Sequence, residues 1–269
     1  GQVAAAKNIY KCIHKAGLEV QDLILEPLAS SEAVLSQEEK EAGVVLVDIG
    51  GGTTDVAIFQ DGIIRHTAVI PFGGNVITED IKEGCSIIKN QAELLKIKFG
   101  SALSNESQDN EIVSIPGLRG REPKEISIKN LASIIQARLE EIIENIYYEI
   151  KNSGYENKLI AGMVITGGGA QLRHVGQLFE YVTGMDTRIG YPNEYLAKGN
   201  ADEVTSPMFA TSVGLVIKGF QKLEKQKNRI NRSSQPEPES GTVRQGDKIK
   251  GGFFQNILNK GKQFFEEED

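Results

Sequence analysis

The chain has 269 residues, 39% hydrophobic and 25% charged, enough for one or two packed domains. Its net charge of −7 argues against general nucleic-acid binding. Cys12 and Cys85 form no CxxC pair, and His14, His66 and His174 are scattered, so neither a metal cluster nor a Cys/His catalytic pair is visible. No apolar run of about eighteen residues is present, so no membrane-spanning helix is expected.

In chain order, residues 2–17 read as a helix, with apolar positions at Val3, Ala6, Ile9, Tyr10 and Ile13 and a stop at Gly17. Leu23-Ile24-Leu25 reads as a short strand, and Pro27 leads into a helix over Ala29–Leu35. The run Val44–Phe59 then predicts two strands joined by Gly50-Gly51-Gly52. Asp48 closes the first strand; Thr53, Thr54 and Asp55 open the second. Three glycines let the backbone approach a ligand closely, and successive N–H groups in such a turn can form an anion nest. An acid beside a phosphate makes sense if it meets it through Mg²⁺ or orders a water. A Mg-nucleotide phosphate loop and a tight hairpin with glycine chosen for twist are the two readings of this run.

Asp61-Gly62 turns the chain into a third strand, Ile63–Ile70. Helices are expected at Asn75–Ile88 and Gln91–Phe99, the latter closed by Gly100. Residues 101–110 are polar and loop-like. Glu111–Ile115 and Lys124–Ile128 read as strands around Pro116-Gly117. Ser127 or Asn130 caps a long helix to about Ser153, with Leu131, Ile134, Ile135, Leu139, Ile142, Ile143 and Ile146 on one face. Ile160–Thr166 reads as a buried strand leading through Gly167-Gly168-Gly169 into a helix. Such a turn lets a flat base or ribose lie on backbone and presents N–H groups where anions are favoured. A short strand at Thr187–Ile189 and a core helix over Pro207–Phe220 follow. Strands, helices and strands again predict an α/β domain with an α+β insertion near residues 76–150.

The segment from 221 to 250 is rich in Lys, Ser, Gln, Glu and Pro and reads as a disordered linker. Beyond it, at roughly 100° per residue, Phe253, Phe254, Ile257, Leu258, Phe264 and Phe265 fall within an arc of about 140°. A helix lying in a bilayer interface explains four phenylalanines on one face; docking on the chain's own core or on a partner groove is the other reading. Gly261 and the acidic run Glu266–Asp269 weigh against the membrane.

With these residues in view, the chain resembles the actin-like (ribonuclease H-like) ATPase superfamily. The Val44–Phe59 run is similar to that superfamily's second phosphate motif and the Gly167 run to its adenosine motif. More locally, Lys7–Cys12 with Ala16–Val20, Glu26–Leu35 and Arg65–Thr78 resemble the bacterial cell-division FtsA family. The resemblance runs from about residue 7 to about residue 220 and resumes at the tail. It implies an actin-like lobe with an α+β insertion, a linker and a terminal amphipathic helix. Its expected parts are a connecting segment (1–26), the lobe itself (27–75 and 151–204), the insertion (76–150), a returning core helix (205–222), the linker (223–250) and the membrane-targeting helix (251–269).

The resemblance also implies roles. Asp48 aligns with the acid near Mg²⁺ or the attacking water; Gly50, Gly51, Gly52 and Thr53 with the phosphate hairpin; Gly167, Gly168 and Gly169 with the adenosine turn. Glu93 and Lys96, one helical turn apart, are either ribose- and base-side groups or an ordinary surface ion pair. Asp55 either supports the turn from behind the site or has no part in it, and the second reading is preferred. ATP and Mg²⁺ are the implied cofactors, with binding favoured over turnover. The implied partners are the C-terminal peptide of the tubulin-like protein FtsZ, further copies of the chain, other division proteins and the bilayer, on the cytoplasmic face of the inner membrane at the septum. Because the second phosphate motif arrives by residue 48, the resemblance points to the C-terminal portion of a longer protein, which alone would bind nucleotide weakly. The alternatives are an actin-like sugar or acid kinase and a pilus-assembly-type actin-like scaffold.

Overall fold

The computed structural model describes residues 3–107, 110–117, 122–193 and 202–233. The chain divides into two units, residues 1–224 and 225–269, and the sheet with its helices belongs to the first. Helices α1 (Val3–Lys15), α2 (Glu26–Val34) and α3 (Gln37–Ala42) precede strands β1 (Val44–Ile49), β2 (Thr54–Gln60) and β3 (Ile63–Ile70). Helices α4 (Gly74–Gly84) and α5 (Lys89–Phe99) lead to the hairpin β4 (Ile112–Ile115) and β5 (Lys124–Ser127), and then to α6 (Ile128–Ser153). Strand β6 (Met163–Thr166), α7 (Val175–Thr183), β7 (Thr187–Ile189) and α8 (Ala210–Ser233) complete the described chain.

The main sheet has the order β3-β2-β1-β6-β7. The first three strands form an antiparallel meander, whereas β6 and β7 run parallel to β1. All six residues of β1 are buried, as a central strand covered on both faces requires. Alternation sorts them. Val45, Val47 and Ile49 face a core shared with α4, α5, α6 and α7, while Val44 and Leu46 face a smaller core built with α2 and α8. Much of α4, α5, the β4–β5 hairpin and α6 comes from the expected insertion, and their apolar residues join the first of these cores. Helix α6 buries Leu131, Ile135, Leu139, Ile142, Ile146 and Ile150 at helical spacing. Ser127 caps its start, and Gly154, at φ 74°, ends it in the left-handed conformation.

Two expectations need correction, and one helix was not expected. Residues 23–25 make no strand: Leu25 is extended, but only as the residue before α2, and Leu23 and Leu25 are exposed. Local β propensity without a neighbouring edge to pair with leaves no ladder. Helix α3 lay unrecognised in a polar stretch; a capping box of Ser36 and Glu39 starts it. Helix α8 runs to Ser233 rather than stopping near 222, because Leu223–Ser233 holds Leu, Glu, Lys, Gln and Arg with no Gly or Pro. The tail residues Phe253, Phe254, Ile257, Leu258, Phe264 and Phe265 lie outside the described residues. Among the described residues, no helix is long and apolar enough to cross a membrane.

Candidate functional site

Parallel pairing of β1 with β6 sets the two glycine turns side by side, since Asp48 lies opposite Thr166 and each turn follows its strand's end. Between them lies a hollow of about 570 Å³. Its lining includes Gly50 and Gly51 from one turn, Gly168 and Gly169 from the other, and Glu93 and Lys96 from α5. Asn75, Lys98 and Arg173 add to the wall. Gly52, Thr53, Gly167 and Asp48 flank the hollow without lining it.

The first turn is held from behind. Gly50 N–H donates to Thr53 C=O at 2.9 Å, closing the turn. The N–H groups of Gly74 and Asn75, at the start of α4, donate to Gly50 and Gly51 C=O at 2.9 and 2.7 Å. Gly73 must lack a side chain, because a Cβ there would lie 2.5 Å from Gly50 O. In the second turn Gly167 sits at φ 85°, and a Cβ would meet Asp48 Oδ1 at 2.4 Å. At Gly52 and Gly168, by contrast, a Cβ would meet no atom within 4 Å. Backbone at those two positions faces open space, the room a ligand needs to lie against it.

On α5, Lys96 Nζ bonds Glu93 at 2.8 Å, Gly74 C=O at 2.8 Å and Thr78 Oγ1 at 2.7 Å. Thr78 Oγ1 also bonds Glu93. Burial would push the Glu93 carboxyl up, but hydrogen bonds from Lys96 and Thr78 hold it below the usual carboxylate range. Glu93 therefore stays an anion that can accept hydrogen bonds from hydroxyl groups. Arg173 ties the far wall together, donating to Phe99 C=O at 2.8 Å and Gly100 C=O at 3.3 Å.

Asp48 points to the α2 and α8 side. Ser30 Oγ donates to it at 3.1 Å and lies 2.9 Å from Thr211 Oγ1. Asp55 is its cross-strand partner in the β1–β2 register, so two acids stand face to face. Burial pushes Asp48 above the ordinary carboxylate value; Ser30 opposes this and Asp55 adds to it. Burial raises Asp55 also. Glu26, the first residue of α2, is raised by burial and by the charges of Asp55 and Asp48. Asp55 thus joins the polar niche around Asp48, and it also accepts from Thr53 Oγ1 of the turn at 3.4 Å. Glu26, Ser30 and Thr211 escaped the sequence reading; Glu26 stood in plain view beside Pro27, but nothing in spacing links residues 26, 48 and 211. Among the described residues, no three His, Cys, Asp or Glu side chains converge closely enough to hold a metal ion themselves.

This sheet and its paired glycine turns define the actin-like fold. MreB5 of Spiroplasma citri, in a crystal structure bound to ADP, superposes with a TM-score of 0.68 at 20% identity, over 85% of this chain and 68% of that one. A type IV pilus PilM–PilN complex gives 0.61 at 19% identity, over 80% and 57%. Within that fold, the family model described as cell division protein FtsA matches residues 45–214. The chain is 44% identical to the cell division protein FtsA of Pseudomonas aeruginosa over 82% of its own length and 52% of that protein's. The Neisseria meningitidis protein of the same description is 38% identical over 91% and 57%. The chain belongs to the FtsA family of cell-division proteins. It spans about half the length of the curated relatives it matches.

Proposed function

We propose that the hollow takes Mg–ATP and that the chain acts as an actin-like scaffold of the division machinery, binding nucleotide rather than turning it over as a metabolic enzyme. The observation that carries this is the shared hollow between Gly51 and Gly168. In this reading Gly50, Gly51, Gly52 and Thr53 cradle phosphates, Glu93 receives ribose hydroxyls, and Gly167–Gly169 carry the base. Asp48 meets Mg²⁺ through water, which suits a carboxyl set back from the wall. The ADP in the MreB5 structure supports the ligand class. Bound nucleotide would supply the charge that biases a polymer-competent state.

The scaffold reading extends to partners. Copies of the chain assemble with one another, the C-terminal peptide of FtsZ binds within residues 76–150, and residues 251–269 anchor the assembly to the cytoplasmic face of the membrane at the septum. Many weak anchors on one polymer add up through avidity.

The test is titration of the chain with Mg–ATP by calorimetry, beside Gly168→Val. The substitution has room to be accommodated, yet it fills ligand space. Loss of a close backbone approach predicts affinity weaker by about tenfold or more. Equal affinity in the two proteins, or no binding by the parent at millimolar nucleotide, overturns the proposal.

A further inference from the structure

The walls of the hollow are joined by an unbroken set of hydrogen bonds centred on Thr78. This side chain, on the second turn of α4, is fully buried. Its hydroxyl accepts from Lys96 Nζ at 2.7 Å and has one proton to donate, for which the Glu93 carboxylate and Gly74 C=O, at 3.0 Å, are the two acceptors in reach. Lys96 has three N–H donors, and Gly74 C=O, Thr78 Oγ1 and Glu93 take all three. Its side chain is only 11% exposed, against 41% for Glu93. The donors of the ammonium are therefore taken up by the protein; both side chains line the hollow, and Glu93 is the more exposed of the two. Gly74 continues the path: its N–H holds Gly50 C=O, and the next N–H, from Asn75, holds Gly51 C=O. The route runs from Glu93 through Lys96 and Thr78 to Gly74, and from there into the first glycine turn.

We infer that Thr78 is a positioning residue, with Lys96 as its strut, that fixes Glu93 relative to the Gly50–Gly51 turn and so sets how strictly the site demands a ribose. The inference rests on the nucleotide reading above for its ribose clause; the strut itself does not. A buried hydroxyl between an ammonium and a carboxylate holds both in one geometry. Without it Lys96 loses one acceptor, Glu93 loses one donor, and the acid is free to swing. A nucleotide's phosphates would still find the turn, but the discrimination supplied by an aligned acceptor for the 2′-hydroxyl would fade. Discrimination of this kind comes from a polar group left unpaired by the analogue lacking the hydroxyl.

Two measurements on Thr78→Val and Thr78→Ser test this. In the first, the affinity ratio of ATP to 2′-deoxy-ATP is compared. The parent is expected to prefer ATP by about tenfold, the worth of one hydrogen bond to a charged group; Thr78→Val should bring the ratio to about twofold or less, and Thr78→Ser should restore it. A ratio unchanged in Thr78→Val overturns the inference. The second needs no nucleotide: amide hydrogen exchange at Gly74 and Asn75, whose N–H groups hold the turn. Thr78→Val should speed exchange there by about tenfold, with Thr78→Ser near the parent and the Val164 and Ile165 amides of β6 unchanged. Equal exchange in all three proteins overturns the strut whether or not nucleotide binds. If the parent binds neither nucleotide, the Mg–ATP reading falls and the exchange comparison alone decides the strut.

Discussion

At the scale of single residues the site is under tension. Asp48 and Asp55 face one another across β1 and β2, and like charges so placed cost about 0.2–1 kcal/mol. Both carboxyls, with Glu26, are raised above their ordinary values, first by burial. The sign follows: a carboxyl raised in the folded state favours folding while protonated and costs stability once pH rises above its unfolded value. At neutral pH without Mg²⁺, Asp55→Asn is therefore expected to melt about 1–3 °C higher than the parent, given the usual shift per kcal/mol for a domain this size. An equal or lower midpoint in a thermal melt counts against the repulsion. The glycine turns were legible because Gly50-Gly51-Gly52 and Gly167-Gly168-Gly169 each end an apolar run. The niche around Asp48 was not, because Ser30, Asp48 and Thr211 come from three distant stretches that only the sheet and its two flanking helices bring together.

At the scale of elements, one acid ties three helices. Glu32 on α2 accepts from Lys40 on α3 at 3.0 Å, from Lys218 on α8 at 3.0 Å and from Gln221 at 3.2 Å. Burial pushes its carboxyl up, but the two ammonium groups and the amide bring it down to about 2. A depressed carboxyl contributes stability that is present above its unfolded value and is lost as pH falls toward about 2. Glu32→Gln is expected to cost about 1–3 kcal/mol at pH 7, the range for hydrogen bonds to charged groups. That gap, measured by urea unfolding, should narrow steadily below about pH 4.5, where the parent begins to lose the same interaction. A gap that stays constant down to acid pH removes Glu32 from this role. Element types were mostly readable where periodicity was long, as in α6, or where strands alternated around glycine, as in β1 and β2. They were misread where pairing decides, as at Leu23–Leu25, and passed over where the signal was a cap rather than an apolar face, as at Ser36 and Glu39 in α3.

At the scale of the whole molecule, the FtsA family model accounts for residues 45–214, and the tail carries a separate physical argument. In the proposed anchor, Phe253, Phe254, Ile257, Leu258, Phe264 and Phe265 would share one face at helical spacing, and each phenylalanine is worth about 1.5–3 kcal/mol when removed from water. At the same spacing Lys260 and Lys262 would border that face and favour an anionic surface, while Glu266–Asp269 oppose it. The apolar gain outweighs that opposition, since exposed charges are screened over about 8–10 Å at physiological salt. The full chain is therefore expected to float with vesicles of anionic and zwitterionic lipid in a density gradient, and a chain ending at Lys250 is expected to stay at the bottom. Phe254→Glu combined with Phe265→Glu should lower the floating fraction by at least about tenfold, because each exchange forfeits one buried ring and adds a repelled charge. Raising salt should weaken flotation only slightly if the rings dominate, and strongly if the lysines do. Equal flotation of the full and shortened chains would transfer the membrane contact to another surface and leave the phenylalanine face to a protein groove.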